Sequence, residues 1–477
     1  MSIKRILFRF IEKSGDIISF TMNRRFFIRK SVLGGASLLA VSGINSSYVF
    51  AKSKDSLKLP AILGGPKSYT GLWPDWPRWK SPNYDESILN ILRSGVWSRS
   101  KVTSEFEDQW ANMIGTKRCL SVVNGTNALI TSLAQWNIGP GDEVIVTPYT
   151  FVATVQAILL NGALPVFADI DADTFQIDPT NIEKKITEKT KAILLVHILG
   201  IPADMERIMR IARKHNLIVI EDACQAHLAE VGGKKVGSIG HAGCFSFQTS
   251  KNMPIGEGGA IVSNDDEFMD RCYSYHNLGF PYGTQVGNIS GGAVMVGTKI
   301  RFTEYQAAIG LNQMKTLRAE TDKRWDNGMY LAKKIDVIPG ISSVKLYMET
   351  TKAVFHLFPM IYDKQKFKGM PRSLFLKALQ AEGVPCSAGY TPLHTQSFIK
   401  NAFESRLYQK LYSKSEIDYN DFLENNQCPV NDKICDEKSI WLTQNMLLGD
   451  KSSLDSIANA IEKISMNAEK IIKREGM

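Results

Sequence analysis

A lysine stands at position 251, between the apolar run Cys244-Phe245-Ser246-Phe247 and the glycine-rich turn Gly256-Glu257-Gly258-Gly259. An amine held close to a sheet loses part of its solvation, which favours the uncharged form that attacks an aldehyde. Ser246 adds a hydroxyl that can bind a phosphate. A lone loop lysine is more often a solvated surface group, so the reading needs support from elsewhere, and three further segments supply it. Asn124-Gly125-Thr126-Asn127 follows Cys119-Leu120-Ser121-Val122-Val123, and a glycine turn opening a helix offers backbone N–H groups and the Thr126 hydroxyl to a phosphate. Such turns also cap helices that bind nothing. Thr147-Pro148-Tyr149-Thr150-Phe151 follows Val146, and Phe151 there can stack on a planar heterocycle or simply fill a core. Glu221-Asp222-Ala223-Cys224-Gln225-Ala226-His227 follows Ile220. Asp222 can pair with a protonated ring nitrogen, or serve as a helix cap, and Gln225 can reach the same ring. His227 reads equally as a substrate contact or as a satisfied structural histidine.

These segments gain meaning from the elements that must position them. Short runs apolar on both faces (119–123, 143–146, 164–168, 192–196 and 217–220) alternate with stretches long enough for helices. That alternation predicts an α/β fold with a mainly parallel sheet between helices, where ligands sit at the carboxyl ends of the strands. The expected organisation is a leader at 1–51, an N-terminal arm at 52–103, a large domain at 104–316 and a smaller α+β domain at 317–477. Helices are expected at 321–334, 372–382 and 452–470, with a strand-like run at 354–360. Residues 57–80 are rich in Pro, Gly and Trp, excluding regular helix and predicting an ordered arm across the body or onto a partner.

The formal charge of +9 does not indicate nucleic acid. Residues 1–30 hold eight Lys or Arg against Glu12 and Asp16, and removing that +6 leaves +3 for the rest. Asn23-Arg24-Arg25-Phe26-Phe27-Ile28-Arg29-Lys30 precedes an uncharged stretch that ends near Val49-Phe50-Ala51. This pattern resembles a twin-arginine export leader with cleavage after Ala51, so the expected location is outside the cytoplasm, with membrane contact only through the leader. An uncleaved anchor is the alternative. Seven scattered cysteines show no disulfide or metal-ligand pattern, and no metal is expected. No G-x-G-x-x-G follows an early strand, which disfavours a nucleotide-dependent dehydrogenase.

Taken together, residues 84–470 resemble the DegT/DnrJ/EryC1/StrS family of sugar aminotransferases. The likeness extends through Glu107, Gly139-Pro140-Gly141-Asp142-Glu143-Val144, residues 169–179, Val196-His197 with Gly200, Arg301, Gln306-Ala307-Ala308-Ile309-Gly310-Leu311 and Tyr390-Thr391-Pro392-Leu393-His394. It implies a fold-type I enzyme, a homodimer with shared active sites, and pyridoxal phosphate carried on Lys251. By matching position, Gly125, Thr126 and Ser246 hold the phosphate, Phe151 stacks on the ring, Asp222 and Gln225 bind it, and His227 and Arg301 contact substrate. The implied reaction moves an amino group from an amino acid, glutamate by family expectation, to a keto sugar. Racemisation, elimination or dehydration on the same cofactor, or an exported chain that has lost turnover, are the rivals. A branch of the family that replaces the lysine with histidine is disfavoured by Lys251. One departure stands out: Gly297-Thr298-Lys299-Ile300-Arg301 carries Lys299 where the family has an asparagine reaching the partner's phosphate. Lys299 can meet phosphate as a point charge.

Overall fold

The structure, a computed structural model, describes residues 58–284 and 291–476. The expected leader lies outside them. Seven strands form the central sheet: β1 (Arg118–Val122), β2 (Glu143–Val146), β3 (Leu164–Phe167), β4 (Thr190–Val196), β5 (Ile218–Asp222), β6 (Ala242–Ser246) and β7 (Gly259–Ser263). Their order is β1-β7-β6-β5-β4-β2-β3, and β7 alone runs against the others. The apolar runs become strands because both faces are covered. Ile193 and Leu195 of β4 pack with Met205, Ile208 and Ala212, while Leu194 packs on the other face with Leu129, Val155 and Ile158. Each such side chain contributes about 1.5–3 kcal/mol when buried. The result is three layers, with α1 (Gly125–Gln135) and α2 (Val152–Leu160) on one face and α3 (Met205–His215) on the other.

The expected boundary between residues 316 and 317 does not exist as a break, because one helix, α4 (Glu304–Ile335), runs through it for 32 residues. Its first half joins Phe106, Phe247 and Phe302 of the large domain through Ala307, Met314 and Leu317. Its second half joins Phe358, Ile461 and Ile464 through Leu331, Ala332 and Ile335. Two glycines permit this. A Cβ on Gly310 would lie 2.4 Å from the Phe106 ring, and one on Gly328 would lie 2.4 Å from the Phe355 ring. The small domain holds an antiparallel sheet, β8 (Ile341–Ser343), β9 (Leu357–Tyr362) and β10 (Ser439–Thr443), in the order β8-β9-β10. Nor is that domain continuous. Leu393, Ile399, Phe403, Tyr408 and Tyr412 return to the large-domain core, where Tyr408 donates to the carbonyls of Leu159 and Ala163 at 2.9 Å each.

The tryptophan-rich arm packs on its own chain. Trp73 Nε1 donates to the Gly383 carbonyl at 3.0 Å, and Asn445 Nδ2 donates to the Pro74 carbonyl at 2.7 Å. Glu382, fully buried, anchors the arm's beginning by accepting from the Ala61 N–H (2.6 Å), the Ser68 N–H (2.8 Å) and Lys463 Nζ (2.8 Å). Removing one member of a buried ion pair strands the other and costs ~3 kcal/mol or more. Glu382→Ala is therefore expected to lower the unfolding free energy read from urea titration by that order and to open residues 58–80 to limited proteolysis. Unchanged stability and cleavage would show that the arm is held elsewhere.

Candidate active site

Four strand ends bring the chemistry together in one cleft of about 470 Å³, bordered by Gly125, Thr126, Phe151, Asp222, Gln225, Ser246 and Lys251. At the end of β1 the chain turns into α1, where the Asn124 side chain caps the helix by accepting from the Asn127 N–H at 2.8 Å. The N–H groups of the first helical residues, Gly125 and Thr126, thus stand at the positive end of the helix dipole. Gly125 is required by packing. A Cβ there would lie 2.7 Å from Ser246 Cβ and 2.8 Å from Cys224 Sγ. Gly259 serves the same approach from β7, since its Cβ would lie 2.3 Å from the Asn124 carbonyl carbon.

Asp222 ends β5 with both carboxylate oxygens engaged. Oδ2 accepts from Thr154 Oγ1 at 2.8 Å, and Oδ1 accepts from the Cys224 N–H at 3.1 Å. Thr154 itself meets Thr150 at 2.9 Å, so α2 sets the carboxylate's angle. Gln225 is equally constrained: its Oε1 accepts from the Leu199 N–H at 2.9 Å and its Nε2 donates to the Tyr390 hydroxyl at 2.9 Å. The first of these bonds needs a left-handed backbone at Leu199 (φ 63°), an uncommon conformation for a branched side chain.

Lys251 lies on the turn between β6 and β7. Burial pushes its ammonium pKa below the ordinary lysine range, and Cys224 and Asp222 only partly oppose the shift. Its backbone is fixed from two sides, by its own N–H donating to the Gln248 carbonyl at 2.8 Å and by Trp76 Nε1 donating to its carbonyl at 3.1 Å. Phe151, at the start of α2, stands 55% exposed on the cleft wall, where a planar ring can lie against it.

Three candidate residues fall outside the cleft. His227 is fully buried behind it, with Nε2 2.8 Å from the Ser246 carbonyl and its ring among Trp110, Phe245 and Phe247. Burial and the nearby Lys251 push its pKa down to about 3, so it acts as a neutral support beneath Ser246 and makes no substrate contact within this chain. Lys299 and Arg301 lie beyond the sheet edge. Lys299 bridges to Asn277, while Arg301 bridges to Val122 and donates to Asn277 Oδ1 at 3.1 Å. Conversely, Thr154, His356 and Tyr390 also line the cleft, and Trp76 braces the Lys251 backbone beside it. The position of Thr154, one turn after Phe151 on a helix, was a readable signal. His356 sits in an apolar run and carried none.

The sequence profile of the DegT/DnrJ/EryC1/StrS aminotransferase family matches residues 81–416. The chain belongs to this family. Relatives in the DegT/DnrJ/EryC1/StrS family include the L-glutamine:2-deoxy-scyllo-inosose aminotransferase of Streptoalloteichus tenebrarius, 31% identical over 418 residues, spanning 85% of this chain and 97% of that one. The spore coat polysaccharide biosynthesis protein SpsC of Bacillus subtilis is 33% identical over 340 residues, 70% of this chain and 85% of the other. A solved aminotransferase from Psychrobacter cryohalolentis superposes with a TM-score of 0.73 at 29% identity, covering 83% of this chain and all of that one. The protein is thus a fold-type I, pyridoxal-phosphate-dependent aminotransferase.

The packing of Gly125 makes a direct prediction. Gly125→Ala should weaken pyridoxal phosphate binding at least ~10-fold, equivalent to about 1.4 kcal/mol, when apoprotein is titrated and followed by absorbance. Wild-type affinity in the variant would remove Gly125 from the phosphate site.

Proposed function

We propose that Lys251 carries pyridoxal phosphate and that the cleft moves an amino group from L-glutamine or L-glutamate to a ketone on a polyhydroxylated ring, a keto sugar or keto cyclitol. The observation that carries this reading is the meeting of Lys251 and Asp222 in one cleft at the carboxyl ends of the strands. The donor set fits the cofactor. The Gly125 and Thr126 N–H groups and the Ser246 hydroxyl suit a phosphate, the close packing at Gly125 leaves no room for a side chain there, Phe151 suits a ring face, and Asp222 suits a protonated ring nitrogen. When bound, that cofactor supplies an electron sink for the negative charge that develops at the donor's α-carbon.

The chain's own residues do the rest. Lys251 Nζ, favoured as a free amine by its burial, takes the proton from the donor's α-carbon and returns it as an acid. Asp222, held at a fixed angle by Thr154 and the Cys224 N–H, keeps a proton on the ring nitrogen opposite. Gln225, locked by Leu199 and Tyr390, flanks the same ring and helps close the cleft. The donor reading draws support from the relatives' names, which specify L-glutamine, and the acceptor reading from their inosose substrates.

We also infer a homodimer. Its support is the family resemblance and apolar surface that a monomer would leave in water, including Leu92 (48% exposed), Val96 (51%) and Trp97 (54%). Lys299 and Arg301, away from their own chain's cleft, then serve the site of the second copy. Export through the twin-arginine leader is part of the same proposal, although residues 1–51 lie outside the described region. All seven cysteines are free thiols, as suits a chain that folds in a reducing compartment before transport.

Purified protein is expected to be yellow, and L-glutamine or L-glutamate to bleach it, whereas Lys251→Ala should show neither property. A colourless wild type, or colour that survives in Lys251→Ala, would overturn the assignment. For the leader, Arg24→Lys/Arg25→Lys should retain the protein in the cytoplasm on cell fractionation. Unaltered distribution would remove the arginine pair as an export signal.

A further inference from the structure

His356 enters the cleft from the segment before β9, and nothing in the reaction described so far uses it. The approach is built. Gly200, at φ 83°, has no Cβ to meet the His356 backbone nitrogen, which would lie 2.7 Å from it, and its carbonyl accepts from the Val354 N–H at 2.8 Å. Asn252, next to Lys251, completes the frame. Its Nδ2 donates to the Val354 carbonyl at 2.9 Å, so its Oδ1, 3.2 Å from His356 Nδ1, acts as the acceptor. The hydrogen therefore resides on Nδ1, and Nε2 is left with a lone pair. Among the described residues no hydrogen-bond partner meets Nε2, while His356 borders the cleft with Lys251, Asp222 and Tyr390.

The environment keeps this tautomer uncharged. Burial, together with Lys251, His227 and Arg324, holds the imidazole pKa well below the usual histidine range. A neutral nitrogen lone pair repels a carboxylate and accepts from a hydroxyl. Beside it, the Tyr390 hydroxyl accepts from Gln225 Nε2, which leaves its own proton to donate. An acceptor and a donor in one cleft match the two-way hydrogen bonding of a polyol.

We propose that His356 is a specificity-determining residue of the acceptor half-reaction, whose Nε2 accepts a hydrogen bond from a hydroxyl of the keto substrate. The inference rests on the acceptor reading given above, and it assigns to Asn252 the positioning of the ring. Selection of hydroxylated over plain ketones then follows, because a cleft built around a hydroxyl leaves Nε2 unpaired when the hydroxyl is missing.

The test uses the pyridoxal-phosphate-loaded full protein, bleached with L-glutamine, desalted, then mixed with scyllo-inosose or with cyclohexanone, the same ring without hydroxyls. Return of the yellow absorbance is recorded for wild type, His356→Phe and His356→Gln. His356→Phe should slow the return with scyllo-inosose by ~10-fold or more, the scale of one lost hydrogen bond. Its return with cyclohexanone and its bleaching by L-glutamine should stay within ~3-fold of wild type, and His356→Gln, which keeps an acceptor oxygen, should recover most of the scyllo-inosose rate. Equal scyllo-inosose rates in His356→Phe and wild type would overturn the inference while leaving the enzyme reading intact. So would an equal loss with all three reagents, which marks a structural role. A wild type that responds to cyclohexanone and not to scyllo-inosose would overturn the acceptor reading, and the inference with it.

Discussion

Two neighbouring carboxylates on β5 govern the carboxyl edge of the sheet. Glu221 and Asp222 are adjacent residues of one strand, so their side chains leave on opposite faces. Glu221 is fully buried and accepts from the backbone N–H groups of Gly237 (2.6 Å), Ile239 (2.8 Å) and Gly240 (2.6 Å). It also accepts from His197 Nε2 at 2.9 Å, since His197 Nδ1 takes the Ala203 N–H and leaves the ring hydrogen on Nε2. One side chain therefore ties the turn before β6 to the end of β4. With the strand so fixed, Asp222 projects into the cleft at a defined height, and Lys251, Gln225 and Ser246 take their places from the strands and turns around it.

A second constraint is the crowding of basic groups behind the cleft. Lys251, His227, His356 and Arg324 lie close enough for each histidine to feel the cations near it. Arg324 is fully buried, with Nε donating to Gln444 Oε1 at 2.8 Å and its guanidinium 4.8 Å from the Trp76 ring centre. Burial and a neighbouring positive charge act in the same direction, toward the neutral form of any group that can lose a proton. Both histidines are held uncharged in this way, while Lys251 is pushed toward the amine by burial alone, against the opposing pull of Cys224 and Asp222. The arm contributes to this arrangement, because Trp76 covers Arg324 and bonds to the Lys251 carbonyl.

Much of this was legible in the sequence because it depends on local pattern. Apolar runs bounded by turn residues marked β1 to β5 within a residue or two, and the positions after them, with the turn after the apolar run at β6, pointed to Gly125, Asp222, Gln225 and Lys251, which the structure brings to one cleft. Contacts between distant segments were not legible. His356 reaches the cleft only because Gly200, over 150 residues earlier, lets its backbone approach. His227 shared its segment with true cleft residues, yet its side chain turns into an aromatic core, a choice that one sequence position cannot reveal. Arg301 keeps the family pattern and Lys299 departs from it, yet within one chain both meet Asn277 or Val122 and not the cleft. At residue 316 nothing in the sequence announces that one helix, α4, runs on from one core into the other.

That helix has a mechanical consequence. At 1.5 Å per residue, Glu304–Ile335 is a rod of about 48 Å whose two ends are embedded in different cores. A spar clamped at both ends resists the swinging motion by which many two-lobed enzymes engulf their ligands. Any displacement of the smaller core relative to the cleft wall must therefore bend this rod or repack one of its two ends.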